Sequence, residues 1–248
     1  MGPAKNVGPR LFVFGGGDPL SAGVIAAHSR AMLRRACPGP RPPRLGLLVA
    51  DVVEPADLAG WTARARDSGL TLALAGFDDV LAAAVAGDLE LLHVPAGHTA
   101  HLLHRLAPWS ASLRARWETG LVLSGQSGGG ACFASRLWSA SRFGTPEWIE
   151  GLGFLPLGLC AHFDQPMWAT PELPVPGFDG EVLALDHDAV LDWTPARVAC
   201  VATRPGARAW RLRAGQEPAP LLSRDVSRIL AWWTRGRRAL GRLVRRAL

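Results

Sequence analysis

From residue 11 onward, short runs of leucine, valine and alanine alternate with longer stretches in which apolar residues recur at helical spacing. That alternation predicts an α/β chain with a mainly parallel central sheet and helices on both faces. Residues 11–14 are expected as the first strand, running out into Gly15-Gly16-Gly17, with a helix over about 20–36. The proline-rich link 38–43 cannot be helical and returns the chain to a second strand at 45–50. Helices over 55–68 and 77–86 then lead into and out of strands at 70–74 and 89–94. Two more helices, 99–106 and 110–119, precede a strand at 121–124 that delivers the chain to Ser127. Beyond Pro156 the pattern changes. Prolines at 166, 171, 174 and 176 make an irregular stretch, and 182–185, 189–193 and 198–203 read as short antiparallel strands turning back on one another. Residues 221–248 are helical in composition, with Val226, Ile229, Leu230, Trp233, Leu240, Leu243 and Val244 on one face.

Composition narrows the class. With 248 residues, 48% of them hydrophobic, the chain can bury one large core and is read as a single domain over 1–248. The longest apolar runs, 45–50 and 89–94, fall far short of the roughly 20 residues that span a bilayer. The first ten residues lack the apolar core of a secretory signal, so a cytoplasmic location is expected. The four cysteines, Cys37, Cys132, Cys160 and Cys200, are widely spaced and are expected to be reduced and buried; no metal or cofactor is expected.

The net charge of +6 rests almost wholly on arginine, which crowds the final segment at Arg224, Arg228, Arg235, Arg237, Arg238, Arg242, Arg245 and Arg246. A basic amphipathic helix of this kind can pack on the sheet with its arginines in water, lie on an anionic membrane, or grip nucleic-acid phosphates. Packing on the sheet is the reading favoured. A homodimer stays open.

The chemistry concentrates at Gly125-Gln126-Ser127-Gly128-Gly129. A serine on a tight strand-to-helix turn needs small neighbours, because bulkier flanks would strike adjoining strands. The helix beginning there would turn free N–H groups toward negative charge on an attacked carbonyl oxygen. A glycine-rich helix start used only for close packing would read the same way. Serine also needs a base. His162, in Ala161-His162-Phe163-Asp164, is the leading candidate, while His28, His101 and His104 sit at helical positions and read as structural. Cys160, two residues before His162, is the alternative thiol.

Three motifs in order carry a resemblance. Gly125-Gln126-Ser127-Gly128-Gly129 is followed by Cys132-Phe133; Gly151-Leu152-Gly153-Phe154-Leu155-Pro156 leads to His162-Phe163-Asp164; and upstream stand Pro95-Ala96-Gly97-His98-Thr99 and Leu102-Leu103. The stretch 89–164 resembles the aspartyl dipeptidases (peptidase E) and cyanophycinases of peptidase family S51, serine peptidases on the fold of class I glutamine amidotransferases, itself flavodoxin-like. The resemblance implies Ser127 as nucleophile, His162 as general base, and the backbone N–H groups of Gly97 and Gly128 as oxyanion donors. It implies hydrolysis of a short peptide or isopeptide, with an arginine such as Arg136 or Arg142 to hold an acidic side chain. His98 and Asp164 would join Arg142 around the substrate.

The chain departs from that pattern at three places. Pro95 and Ala96 replace two glycines, and proline has no N–H to offer. His98 replaces an asparagine. The acid that orients the histidine is missing from both positions the family uses: Ser141-Arg142 precede Phe143-Gly144 where dipeptidases carry aspartate, and Asp186-His187-Asp188 has histidine where cyanophycinases carry glutamate. Asp186 or Asp188 is the expected replacement, with Glu147 and Asp164 as further carboxylates, while a Ser-His dyad and a retired site stay open. Three functions therefore stand side by side: a serine peptidase, a non-catalytic binding protein on the same fold, and a basic interaction protein acting through its C-terminal helix. An ordinary α/β-hydrolase would place its histidine last, an order only His187 could satisfy.

Overall fold

A computed structural model describes residues 8–20, 24–49, 55–141, 144–169, 181–221 and 223–225. The first half is built from βα units. Strand β1 (Arg10–Phe14) leads to α1 (Val24–Ala36), β2 (Arg44–Leu48), α2 (Pro55–Asp67), β3 (Thr71–Gly76), α3 (Asp78–Ala86) and β4 (Leu91–Val94). Helices α4 (Thr99–Leu106) and α5 (Ser110–Glu118), joined by a short 3-10 turn, precede β5 (Val122–Gln126). A single helical turn, α6 (Gly128–Ala131), follows. The second half is strand-rich: β6 (Ala134–Ser139), β7 (Glu147–Glu150), β8 (Leu155–Cys160), β9 (Glu181–Leu185), β10 (Ala189–Thr194), β11 (Arg197–Ala202), β12 (Ala209–Leu212), β13 (Ala219–Pro220) and β14 (Ser223–Asp225).

These strands form two sheets. The first has eight strands in the order β14-β11-β10-β1-β5-β4-β2-β3, and the second six, in the order β13-β12-β9-β8-β6-β7. From β1 to β3 every neighbouring pair in the first sheet is parallel, and β10 joins β1 antiparallel. Strand β1 shows why it lies inside: Leu11 and Val13 face one core while Phe12 and Phe14 face the other. A parallel strand covered on both sides must be apolar at every position. Helices α1 and α2 close the Phe12 side through Met32, Leu33, Ala36 and Ala65. On the Leu11 side lie Val80 and Leu81 of α3, Leu106 of α4 and Trp117 of α5. Leu137, Leu159, Leu183 and Leu185 of the second sheet belong to that same cluster. The second sheet is therefore a further layer, and its far side carries Trp138, Val182, Ala184 and Leu212 with Trp148, Trp168 and Trp210. A buried Asp192 on β10 ties the first sheet together, accepting from Arg10 of β1 at 2.8 and 2.9 Å and from Arg197 of β11 at 2.9 Å.

Three expectations are corrected. The strands after residue 181 are not one antiparallel meander: β10 and β11 form a hairpin in the first sheet, whereas β9 lies in the second, parallel to β8 and antiparallel to β12. The chain turns here, the Ala189 N–H donating to the Asp186 carbonyl at 3.0 Å, and changes sheets in the three residues 186–188. The helix after Ser127 is one turn only, because Gly128, Gly129 and Gly130 are the poorest helix formers after proline and the chain re-enters a sheet at Ala134. Ser223–Asp225, assigned from composition to the start of a C-terminal helix, is instead a strand pairing parallel with β11. The remainder of the expected basic helix, 226–248, lies outside the described residues.

Candidate active site

Ser127 directly follows β5, with φ 49° and ψ −125°. That conformation is one L-residues avoid and glycine supplies at the first central position of a type II′ turn. It is held from both sides: the Ser127 N–H donates to the carbonyl of Phe14 at 2.8 Å, and its carbonyl accepts from Gly130 and Ala131 at 3.1 and 2.9 Å. The glycines around it are steric requirements. A Cβ on Gly125 would lie 2.5 Å from the Gly130 backbone, and one on Gly129 would lie 2.1 Å from the carbonyl oxygen of Pro95. The packing and the exposure of the hydroxyl are thus two effects of one turn, and the two readings of the motif do not compete.

The hydroxyl faces the imidazole of His162. Ser127 Oγ lies 2.8 Å from His162 Nε2, within ordinary hydrogen-bond reach. His162 follows β8 at a positive φ of 57°, and its N–H donates to the carbonyl of Gly15 at 3.3 Å. Burial, followed by the neighbouring His187, lowers the His162 pKa from 6.5, and Asp164 opposes that shift. The ring is therefore a neutral base near pH 7, the form that can take a proton. The thiol alternative has no such geometry: Cys160 is fully buried, its Sγ directed to the carbonyl oxygen of Ala161 at 3.3 Å, and burial pushes its pKa up.

The carboxylates expected behind His162 are turned elsewhere. Asp186 accepts from Trp210 Nε1 at 2.9 Å and from the Arg208 N–H at 2.8 Å, fastening β9 to the start of β12. Asp188 pairs with Arg204 Nε at 2.7 Å. Asp164 accepts the backbone N–H of His187 at 2.8 Å and reaches Arg204 at 3.4 Å, so it bonds backbone and not the imidazole. Glu147 sits on β7, at the edge of the second sheet, opposite Ser139. Alternation explains the outcome for Asp186: successive side chains leave a strand on opposite faces, and the chain is already turning toward the other sheet. The group that does face His162 Nδ1 is His187, Nδ1 to Nδ1 at 3.3 Å.

Of the remaining expected residues, Gly97 and Gly128 lie together, the position of a Gly128 Cβ being 3.1 Å from the Gly97 carbonyl oxygen. Their N–H groups donate to no acceptor among the described residues. His98 is exposed and caps α4, its Nδ1 accepting from the His101 N–H at 3.4 Å. Arg142 lies outside the described residues. Arg136 is paired across the strands with Glu150 at 3.2 Å, and Ser141 accepts from the Ala100 N–H at 3.2 Å.

Three features escaped the sequence reading. Gln126 reaches across the site, donating to the Gly16 carbonyl and accepting from the Ala96 N–H at 3.3 Å. Gly15 and Gly16 form the bed on which 186–188 rests: a Cβ on Gly15 would lie 2.0 Å from the Asp186 carbonyl oxygen, and one on Gly16 2.1 Å from His187 Nδ1. Beneath the site, His93 on β4 is fully buried with Nδ1 2.8 Å from Ser124 Oγ of β5 and Nε2 without a partner. A histidine inside the apolar run Leu91-Leu92-His93-Val94 was the signal for that pair.

Among the described residues no group of histidine, cysteine and acidic side chains could hold a metal ion, and no helix is long and apolar enough to cross a membrane. No protein-family model matches the chain, and no curated protein does. Solved structures do match. A peptidase from an acI-B1 Actinobacterium superposes with a TM-score of 0.63 at 16% identity, over 88% of this chain and 96% of that one. A protein from Listeria monocytogenes EGD-e that carries a provisional Peptidase E designation gives a TM-score of 0.52 at 12% identity, over 78% of this chain and 98% of its own. The chain shares the mixed α/β, two-sheet fold of these proteins.

Proposed function

We propose that the chain is a serine hydrolase of the peptidase E type, cleaving a short peptide or isopeptide through an acyl-enzyme on Ser127. One observation carries the reading: a serine fixed in a strained backbone conformation with its hydroxyl 2.8 Å from the Nε2 of a histidine whose burial keeps it neutral. Strain of about 1–3 kcal/mol persists only where surrounding structure enforces it, and such residues cluster at functional sites. The likeness in fold to two peptidases supports the reaction class.

In the proposed reaction Ser127 Oγ attacks the scissile carbonyl carbon as its proton passes to His162 Nε2. The carbonyl oxygen takes the negative charge beside the N–H groups of Gly97 and Gly128. The tetrahedral adduct collapses as His162 returns the proton to the leaving amine, and water, deprotonated by the same nitrogen, then releases the acyl group. The paired state of Arg136 leaves an acidic substrate group to be held by Arg142 or by an arginine elsewhere.

Reaction of the full chain with a fluorophosphonate probe tests this. Labelling in the wild type that disappears in Ser127→Ala is the expected result. A second reading, a binding protein that has kept the fold and lost the reaction, is favoured by the imidazole standing where His162 needs a carboxylate. A wild-type chain that folds and takes up no probe would select that reading.

A further inference from the structure

We propose that His187 is the positioning residue for His162, so that the site works as a Ser127–His162–His187 relay with a neutral imidazole in the role of the acid. The inference rests on the reading of Ser127 as a nucleophile. Its geometric basis is separate. For His162 Nε2 to accept the Ser127 hydroxyl proton, the ring must carry its own hydrogen on Nδ1, and a half-buried Nδ1–H requires an acceptor. Among the described residues the group within reach is His187 Nδ1 at 3.3 Å, with the two rings inclined at 34°. His187 then carries its hydrogen on Nε2 and offers Nδ1 as a lone pair.

The ring of His187 is held in place. The backbone N–H of His187 donates to Asp164 at 2.8 Å, its backbone carbonyl accepts from the Gly17 N–H at 3.1 Å, and the Nδ1 edge of the ring lies against Gly16 where no Cβ would fit. The carboxylates described around the pair are committed elsewhere. Asp164 and Asp188 share Arg204, at 3.4 and 2.7 Å, on either side of His187, and Asp186 is spent on Trp210 and the Arg208 amide. Among the described residues no free carboxylate lies against the imidazole of His162.

A neutral acceptor fixes the tautomer as a carboxylate does, but it stabilises the imidazolium far less, since an opposite charge favours the protonated form and an uncharged ring does not. Protonating His162 removes the base, so the acid limb of the rate profile follows the His162 ring.

The decisive experiment compares wild type, His187→Ala, His187→Gln and His187→Glu by probe-labelling rate against pH and by nitrogen NMR of the histidine rings. In the wild type, NMR is expected to show His162 protonated at Nδ1. His187→Ala is expected to scramble that tautomer and slow labelling about tenfold, the equivalent of one modest hydrogen bond. His187→Gln, which keeps an acceptor and the fold, restores most of the rate. His187→Glu raises the rate above that of the alanine variant and moves the acid limb up by about one pH unit or more, because a carboxylate stabilises His162 in its charged form. A structural role alone would not move that limb upward. Wild-type rate, limb and tautomer in both His187→Ala and His187→Gln would overturn the inference while leaving Ser127 intact as nucleophile. Failure of the wild type to label, with the tautomer still dependent on His187, would overturn the nucleophile and leave the pairing standing.

Discussion

If Ser127 is held against its own backbone preference, then replacing it by glycine should stabilise the protein relative to replacing it by alanine. At an ordinary site the order is the reverse, because glycine loses about 0.5–1 kcal/mol more conformational entropy on folding than alanine. Both substitutions remove the hydroxyl and its 2.8 Å bond to His162, so that contribution cancels in the comparison. Alanine keeps the cost of φ 49° and ψ −125°, whereas glycine is relieved of it. A relief of about 1–3 kcal/mol, set against the entropy cost, leaves glycine ahead by about 0–2.5 kcal/mol, about 1.25 kcal/mol at the middle of both ranges. At about 2–4 °C per kcal/mol for a chain of this size, the middle value is a Tm higher by roughly 2.5–5 °C. Parallel thermal and urea melts of the two variants, followed by circular dichroism, measure the difference. A glycine variant no more stable than the alanine variant would show that the turn is relaxed and that the reasoning from strain to function is wrong.

Other outcomes follow from single contacts. Full burial lowers the His93 pKa from 6.5 to about 4, so below pH 6.5 the unfolded chain binds a proton the folded one refuses; stability should fall as pH drops through that window, by about 3 kcal/mol in all. His93→Leu should flatten the slope in urea melts between pH 7 and 4.5, and an unchanged slope would assign the acid sensitivity to other groups. Asp186→Ala removes the acceptor of Trp210 Nε1 and the Arg208 amide and should cost about 2–4 kcal/mol in melts while Ser127 still labels; a folded variant that has lost labelling would return Asp186 to the catalytic role. Gly129→Ala would drive a methyl to 2.1 Å from a backbone oxygen, and the expected loss is about 2–3 kcal/mol or more, with soluble yield and Tm as the readouts. A Tm within error of wild type would mean that the Pro95 loop can yield.

How far the fold could be read from the residues depends on how each element is buried. Strands β1 and β4 are covered on both faces, and a strand so placed reads as a nearly continuous apolar run, which made Leu-Phe-Val-Phe and Leu-Leu-His-Val visible against helical neighbours. The second sheet was harder. Ala134–Ser139 and Glu147–Glu150 mix arginine, serine and glutamate with tryptophan because one side joins the main core and the other carries a sparser aromatic layer. Neither periodicity nor run length separates such strands from loop. Ser127 and His162 were legible because each stands in a motif whose neighbours are there for steric reasons that leave a trace in sequence. The partner of His162 was legible only as a histidine at the position where the resembled family carries its acid. Which of the three adjacent side chains at 186–188 turns toward His162 depends on the crossing between sheets, and composition favoured the two aspartates over the histidine between them.

That crossing explains why the site stands where it does. Ser127 comes from the end of β5 in the first sheet, His162 from the end of β8 in the second, and His187 from the link in which the chain leaves β9 for β10. Three residues cannot change sheets unless the surface beneath them is bare, and Gly15 and Gly16 supply that bareness at the end of β1. The glycine run that ends the first strand thus fixes the height of the 186–188 link, the link fixes the His187 ring, and the ring faces His162. Lengthening the side chain at position 16 to a single methyl should therefore act at a distance, displacing His187 and altering the behaviour of His162 while Ser127, supported by Phe14 and by Gly130 and Ala131, keeps its turn.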